Sequence, residues 1–474
     1  MTRCEFALKR RCFRLSVAVI LLVSGHTLAS ARDLDELLQA LQEQTGVPGI
    51  AAAVARDGEL VAHAEVGFAD VVGAKTVSPR TVFRLASVSK AVCSVIAAKL
   101  IEDDVIALDT PAGDLLPELP RQFQELSLRD LMTHTSGLPH YEPRDSLRGR
   151  KRYQSAVSGL EQLGDRPLAS TTGETYLYST HGFSLASAMM ERGAGKTFLE
   201  LFEGIVRSES ELDSLTLESE GENGDRRTLI YEGARNGSPR ELEREDFSYS
   251  WCGAGMESSA TSLSLFASSL FGSKSLLRQQ GQDLLVEPLP DRTGEVVATD
   301  RWTMTLGFRR SSDPSGKPFL HHAGVTNGAR SILAVWPESR LAVALLSNAS
   351  WTGRMEDTAV ALALATTDAE LASSCEEKGE MSYGGRFNDA PMVATIDWRK
   401  SEKGCRGQLS GENALAGWLS RFNFVETSAY PLIPISNERW LLVSPIGISI
   451  LAGDATHLSG HLGSRRLTLE HTRP

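Results

Sequence analysis

Six cysteines in 474 residues are too few for a scaffold held together by disulfides. Aromatic residues reach only 7%, and the apolar run Leu15 to Val23 falls short of the roughly 20 residues that a membrane-spanning helix needs. Basic residues are also in deficit, with 49 Lys plus Arg against 60 Asp plus Glu and a net charge of −11. They gather into no stripe that could neutralise phosphates, which excludes nucleic acid as a partner. Cys and His show no metal-type spacing, there is no Gly-x-Ser-x-Gly nucleophile elbow, and there are no repeats or low-complexity tracts. What remains is ordinary globular composition, 41% hydrophobic and 23% charged, in a chain long enough for two or three domains.

The N-terminus reads as an export signal over residues 1–31. Arg3, Lys9, Arg10, Arg11 and Arg14 precede the apolar run, and Ala29-Ser30-Ala31 supplies a small-residue cleavage pattern. Cleavage would leave an exported, periplasmic or secreted chain with no stable membrane span and four cysteines. In an oxidising compartment Cys375 and Cys405, 30 residues apart in a turn-rich region, could pair, whereas Cys93 in an apolar helical run reads as a buried thiol.

Asp33 and Glu36 with Leu34, Leu37, Leu38 and Leu41 predict an amphipathic helix. Gly49–Ala55 and Glu59–Val66 around Asp57-Gly58 predict a β-hairpin. From Leu85 to about Phe271 the pattern is mainly helical, apart from a polar stretch, Glu218 to Glu245, without periodicity. Strand patterns return at Met304–Arg309, Phe319–Ala323, Ala329–Val335 and Leu341–Leu346. They predict one sheet built from both ends of a segment at 32–368, with the helical region inserted between them. After Thr366 short strand patterns alternate with Gly, Asn and Pro turns, which predicts a small antiparallel barrel or sandwich at 376–474.

The chemistry centres on Ser87-Val88-Ser89-Lys90, the one Ser-x-x-Lys in the chain, followed by the apolar run Ala91 to Ala98. Three residues apart, Ser87 and Lys90 share a face of the first turn. A cation there opposes the helix dipole and is penalised by burial, so the neutral amine is favoured: a base beside a nucleophile. The bland alternative is a Ser87 that caps the helix and a Lys90 that snorkels to water. Tyr178-Ser179-Thr180 places a phenol that could shuttle a proton. His322-Ala323-Gly324 falls on a strand, where His322 and Gly324 share a face and the glycine lets an acyl group approach the backbone. Gly195-Lys196-Thr197 lacks the first glycine of a phosphate loop, Ser136 has no lysine three residues on, and Asp103-Asp104 ends a helix facing water.

Taken in order, these three motifs resemble those of serine β-lactamase-like enzymes and penicillin-binding proteins of the class C type, S-x-x-K, Y-x-N and K-T-G or H-x-G. Leu131 to Tyr141 and Ser250 to Gly255 look most like the branch that contains the mitochondrial serine β-lactamase-like peptidase. The resemblance implies an α/β fold of the α+β type, with a β-lactamase/transpeptidase-like mixed sheet, an inserted helical subdomain and an appended antiparallel β domain. It implies Ser87 as nucleophile, Lys90 as its base and Tyr178 as proton carrier. The N–H groups of Ser87 and Val325 would form the oxyanion hole, with Gly324 beside them and His322 facing the substrate carboxylate or leaving group. Thr180 departs from the usual Asn. Such chemistry needs no cofactor or metal. The expected reaction is hydrolysis of a peptide or small-molecule acyl substrate; an esterase, a true β-lactamase, or an inactive peptide- or cell-wall-binding protein are the alternatives. The oligomeric state stays open.

Overall fold

The computed structural model describes residues 26–142, 151–207, 212, 214–218, 223–232, 239–272, 274–367, 379–401, 404–411, 413–422, 427–436 and 438–472. Most of the expected export signal, Cys375, parts of the Glu218–Glu245 stretch and the expected boundary between 368 and 376 lie outside the described residues. The first helix begins at His26 and runs to Thr45, so it includes Ala29-Ser30-Ala31.

Asp57 and Gly58 both adopt positive φ, 55° and 78°. That matches the twist of the flanking strands and closes the expected hairpin between Gly49–Arg56 and Glu59–Asp70. Eight strands follow one another across the sheet in the order 75–76, 59–70, 49–56, 341–347, 329–336, 318–326, 309–312 and 303–304. The strand nearest the N-terminus thus pairs with the last strand of the segment, Ile50 opposite Ser347 and Arg56 opposite Leu341. Each of these pairings is antiparallel, so what is mixed in this fold is helix with sheet rather than strand direction.

Alternate residues of the central strands enter two cores. Ala51, Ala53, Leu333, Ala344 and Leu346 face the inserted helices, Ser89–Glu102 and Thr180–Ala194 among them. Ile50, Ala52, Val54, Ile332 and Val343 face the helices His26–Thr45 and Met355–Thr367. Burial on both faces explains why these strands read as continuous apolar runs without alternation.

The C-terminal region is a closed antiparallel barrel of eight strands, from Gly379–Phe387 to Arg465–His471, which pair with each other to shut it. Its interior is filled by Trp398, Tyr383, Trp440, Leu442 and neighbours. On its outer surface Ile433, Ile435, Leu441, Val443 and Ile448 share a core with Leu34, Leu37, Leu41, Met355 and Leu362. The two helices are therefore sandwiched between sheet and barrel.

The cysteines depart from expectation. Cys93 is no free thiol: it is bonded to Cys252, with Cα atoms 5.2 Å apart across 159 residues of sequence. Helical periodicity identified its burial but carries no information about a partner so distant. Cys405 is disulfide-bonded as well, and the partner expected for it, Cys375, lies outside the described residues.

Candidate active site

The residues Ala86–Val88 form a 3-10 turn that leads into the Ser89–Glu102 helix. Every residue of that helix except Lys99 is buried. Ala86 takes φ 48°, a costly conformation for a residue with a Cβ. It is imposed from both sides: Leu85 N–H donates to Met256 O at 2.9 Å, and Ser331 Oγ donates to Leu85 O at 2.6 Å. The turn presents Ser87 as its one incompletely buried residue. No side chain caps the helix, so Ser87 is not a capping residue.

Lys90 does not snorkel; it is 0% exposed. Its Nζ donates to Gly253 O at 2.7 Å and to Thr180 Oγ1 at 3.1 Å, and it lies 3.3 Å from Ser87 Oγ. Burial, helped by the positive charge of Arg309, holds its pKa well below the usual lysine range. A neutral amine has two N–H groups and one lone pair. With Gly253 O and Thr180 Oγ1 taking the two protons, the lone pair is left for the Ser87 hydroxyl.

The Tyr178 phenol bonds Ser87 and Thr180, and burial raises its pKa, so it keeps its proton. Its placement depends on two histidines that the sequence reading did not single out. His134, at φ 61°, accepts the Ser179 N–H on Nδ1 at 3.1 Å, and its ring lies 4.4 Å from that of Tyr178. His140 Nδ1 accepts the Thr180 N–H at 3.2 Å. Ser179 itself caps the helix Thr180–Ala194, accepting the Gly182 N–H at 3.1 Å, while its hydroxyl donates to Pro139 O at 3.0 Å. The loop 131–141, noticed in the sequence only as a supporting stretch, thus clamps the Tyr-Ser-Thr motif.

The strand Pro318–Thr326 brings up the third motif. A Cβ on Gly324 would stand 2.5 Å from Leu85 O and 3.0 Å from Ser87 N, so only glycine permits this approach. The next residue, Val325, is 55% exposed at the mouth of the site. His322 is buried, and its Nδ1 lies 2.8 Å from Ala323 O, which can only accept. The proton is therefore on Nδ1, and Nε2 is a buried acceptor without a partner. Burial and the Arg309 guanidinium push the pKa of His322 well below 6.5. A neutral imidazole offering a lone pair does not suit a carboxylate.

A cation that does suit one is Arg309, on the adjacent strand Arg309–Ser312. Its guanidinium lies 5.6 Å from the Tyr178 ring centre and 5.4 Å from that of Trp302, and it donates to Tyr176 Oη at 3.1 Å. No carboxylate among the described residues pairs with it. Nothing in the Met304–Arg309 strand pattern distinguished this arginine; strand pairing, Arg309 opposite His321, places it here.

Residues 34–367 match the family described as Beta-lactamase. The human mitochondrial serine beta-lactamase-like protein LACTB is 26% identical over 411 residues, covering 66% of this chain and 73% of that protein. The esterase EstB of Burkholderia gladioli is 29% identical over 183 residues, covering 35% of this chain and 46% of the esterase. Among solved structures, the octameric penicillin-binding protein homologue of Pyrococcus abyssi superposes with a TM-score of 0.59 at 16% identity, covering 92% of this chain and 99% of that one. A class C beta-lactamase superposes at 0.60 with 17% identity, covering 73% of this chain and 99% of the other. The antiparallel sheet, the helices on its faces and the match over most of the chain lead to one conclusion: this chain belongs to the beta-lactamase family of serine hydrolases.

Proposed function

We propose that the protein hydrolyses peptide or related amide bonds through an acyl-enzyme on Ser87. The observation that carries this reading is the fully buried Lys90 amine, 3.3 Å from Ser87 Oγ and held by Gly253 O and Thr180 Oγ1. Lys90 removes the hydroxyl proton as Oγ attacks the carbonyl carbon, and the N–H groups of Ser87 and Val325 receive the oxyanion. Tyr178, protonated and bonded to Ser87, passes a proton to the leaving nitrogen, and the lysine proton replaces it. Water then attacks the ester carbonyl, giving up its proton to the same pair, which returns a proton to Ser87 Oγ as the C–Oγ bond breaks, leaving a free acid and Ser87.

Arg309 favours a substrate with a carboxylate near the reacting bond, as a short peptide has. In this reading His322 Nε2 accepts a hydrogen bond from the leaving amine, and the carboxylate role first given to it passes to Arg309. Export is part of the proposal and rests on the leader-like residues 1–31; N-terminal sequencing of the purified protein checks it.

Ser87→Ala is expected to remove labelling by a fluorescent phosphonate and all hydrolysis while the circular dichroism spectrum stays unchanged. Labelling that persists at equal occupancy refutes the assignment. Penicillin is expected to give at most a long-lived adduct, because no separate glutamate of the class A kind was found to drive deacylation. Turnover with kcat/KM above roughly 10⁵ M⁻¹s⁻¹ would promote the β-lactamase alternative.

A further inference from the structure

The acceptor that orients Lys90 sits on a loop 163 residues away in sequence. Gly253 O makes the shortest contact to Nζ, and a carbonyl accepts only, so it claims one N–H of the amine and thereby sets where the lone pair points. Immediately before Gly253 stands Cys252, bonded to Cys93, which lies one turn beyond Lys90 on the same helix. Base and acceptor are thus joined covalently, three residues from the one and a single residue from the other.

The loop has little freedom inside its own turn. Gly253 and Ala254 N–H both donate to Ser250 O, at 3.0 and 2.9 Å, and Gly255 N–H donates to Trp251 O at 3.2 Å. A Cβ on Gly253 would stand 2.2 Å from Ser250 Oγ and 2.4 Å from Thr180 Cγ2, so the turn is also seated against the second motif. These bonds set the shape of the turn. The two ends of the loop are held from outside, Ser250 Oγ by Ser184 Oγ at 2.7 Å and Met256 N–H by Ser89 Oγ at 3.1 Å; between them the sulfur bridge ties Cys252, and with it Gly253, to the helix. Both cysteines are 0% exposed.

We propose that the Cys93–Cys252 disulfide is a positioning element for the general base: it holds the Gly253 carbonyl on Lys90 Nζ, so that the lone pair faces Ser87 and water stays out. This rests on the reading of Ser87 and Lys90 given above. Beside Ser87 and Thr180, the groups facing Lys90 are the Tyr178 and Phe183 rings, 4.9 and 5.4 Å away, Arg309, and the neutral imidazoles of His134 and His322. None of them is attached to the 250–255 loop, so loss of the strut leaves them in place. The loop then relaxes outward, water reaches Nζ, burial depresses its basicity less, and the amine stays protonated to higher pH.

The test is the pH profile of kcat/KM for a small ester, measured on the full chain as wild type, as Cys93→Ala/Cys252→Ala and as Cys93→Ser/Cys252→Ser. The same profile on wild-type protein folded with its thiols kept reduced reads the effect without substitution. The acidic limb is expected to move up by about one pH unit, costing about tenfold at neutral pH and recovering in alkali. Cys405→Ser, which breaks the other disulfide, is expected to superimpose on wild type. A strut-less profile identical to wild type, or lowered by one constant factor at every pH, overturns the proposal. So does peptide mapping that finds Cys93 and Cys252 as free thiols in the active protein. Wild type that no phosphonate labels at Ser87 overturns the underlying catalytic reading instead.

Discussion

Thr180 is the residue at which this chain departs from the usual Y-x-N motif, and the geometry gives the hydroxyl a definite task. Its Oγ1 accepts from Lys90 and also bonds Tyr178. A hydroxyl can both accept and donate, so one atom bridges Lys90 and Tyr178. Thr180→Val keeps the shape and removes the bridge. It is expected to lower kcat by about 10² with little change in KM, the scale of a misplaced acid or base, in steady-state kinetics with a short peptide or ester. Thr180→Ser is expected to restore most of the rate. The Ser-x-x-Lys pair was legible in the sequence because both residues lie within one turn, where spacing alone puts them side by side. His134, His140 and Arg309 were not, because each reaches the site through a loop or a strand register that no local pattern encodes.

Among the elements, the short strands Phe83–Arg84 and Met256–Ser258 do more than their length suggests. They pair directly behind the nucleophile turn, Arg84 opposite Glu257, and a charge cluster is built on them. Arg84 Nε donates to Glu218 at 2.6 Å. Glu257, 0% exposed, accepts from Arg227 at 2.6 Å, Asn223 at 2.7 Å and Arg244 at 3.3 Å. The polar Glu218–Glu245 stretch, which shows no periodicity, therefore supplies four members of this cluster, Glu218, Asn223, Arg227 and Arg244. Removing one partner of a buried pair strands the others without counter-charge. Glu257→Gln is expected to cost about 3 kcal/mol in urea unfolding. Because the cluster anchors the nucleophile turn, phosphonate labelling should slow as well.

Over the whole molecule, the layer shared by helices and barrel bears on where the catalytic unit ends. From sequence alone a chain ending near Asp368 is expected to fold by itself, since the large sheet is complete by then. The barrel, however, covers the apolar face formed with Leu34, Leu37 and Met355. A chain of residues 32–368 is therefore expected to bind hydrophobic dyes and to precipitate, an outcome read by expression and light scattering beside the full chain. Soluble, phosphonate-reactive protein would show the cover to be dispensable.

Stability should also depend on acid. Burial lowers the pKa of His321 to about 4, so as pH falls from about 6.5 to 4 the unfolded chain takes up a proton that the folded one refuses. That removes about 3 kcal/mol, all of it present above pH 6.5. His134 and His322 act in the same direction. Asp357, raised to about 6 by burial, acts oppositely: the folded state binds its proton first and gains stability below pH 6. In thermal melts from pH 7 to 4, His321→Asn is expected to flatten the decline and Asp357→Asn to steepen it.

The sequence by itself determined the local things: the hairpin turn at Asp57-Gly58, the apolar helix after Lys90, the strands of the sheet and the pairing of Ser87 with Lys90. Each depends on residues within a few positions of one another, where backbone geometry converts spacing into proximity. It also suggested a barrel or a sandwich without choosing, since strand patterns do not say whether the first strand meets the last. Tertiary structure decided that closure by pairing Tyr383 with His471, and it joined Cys93 to Cys252 and set Gly253 O on Lys90. It also left the His322 imidazole neutral, since whether an imidazole carries charge depends on burial and on the carbonyl its Nδ1 meets. These are contacts between segments far apart in the chain, selected by packing and strand register, and a linear pattern holds no record of them.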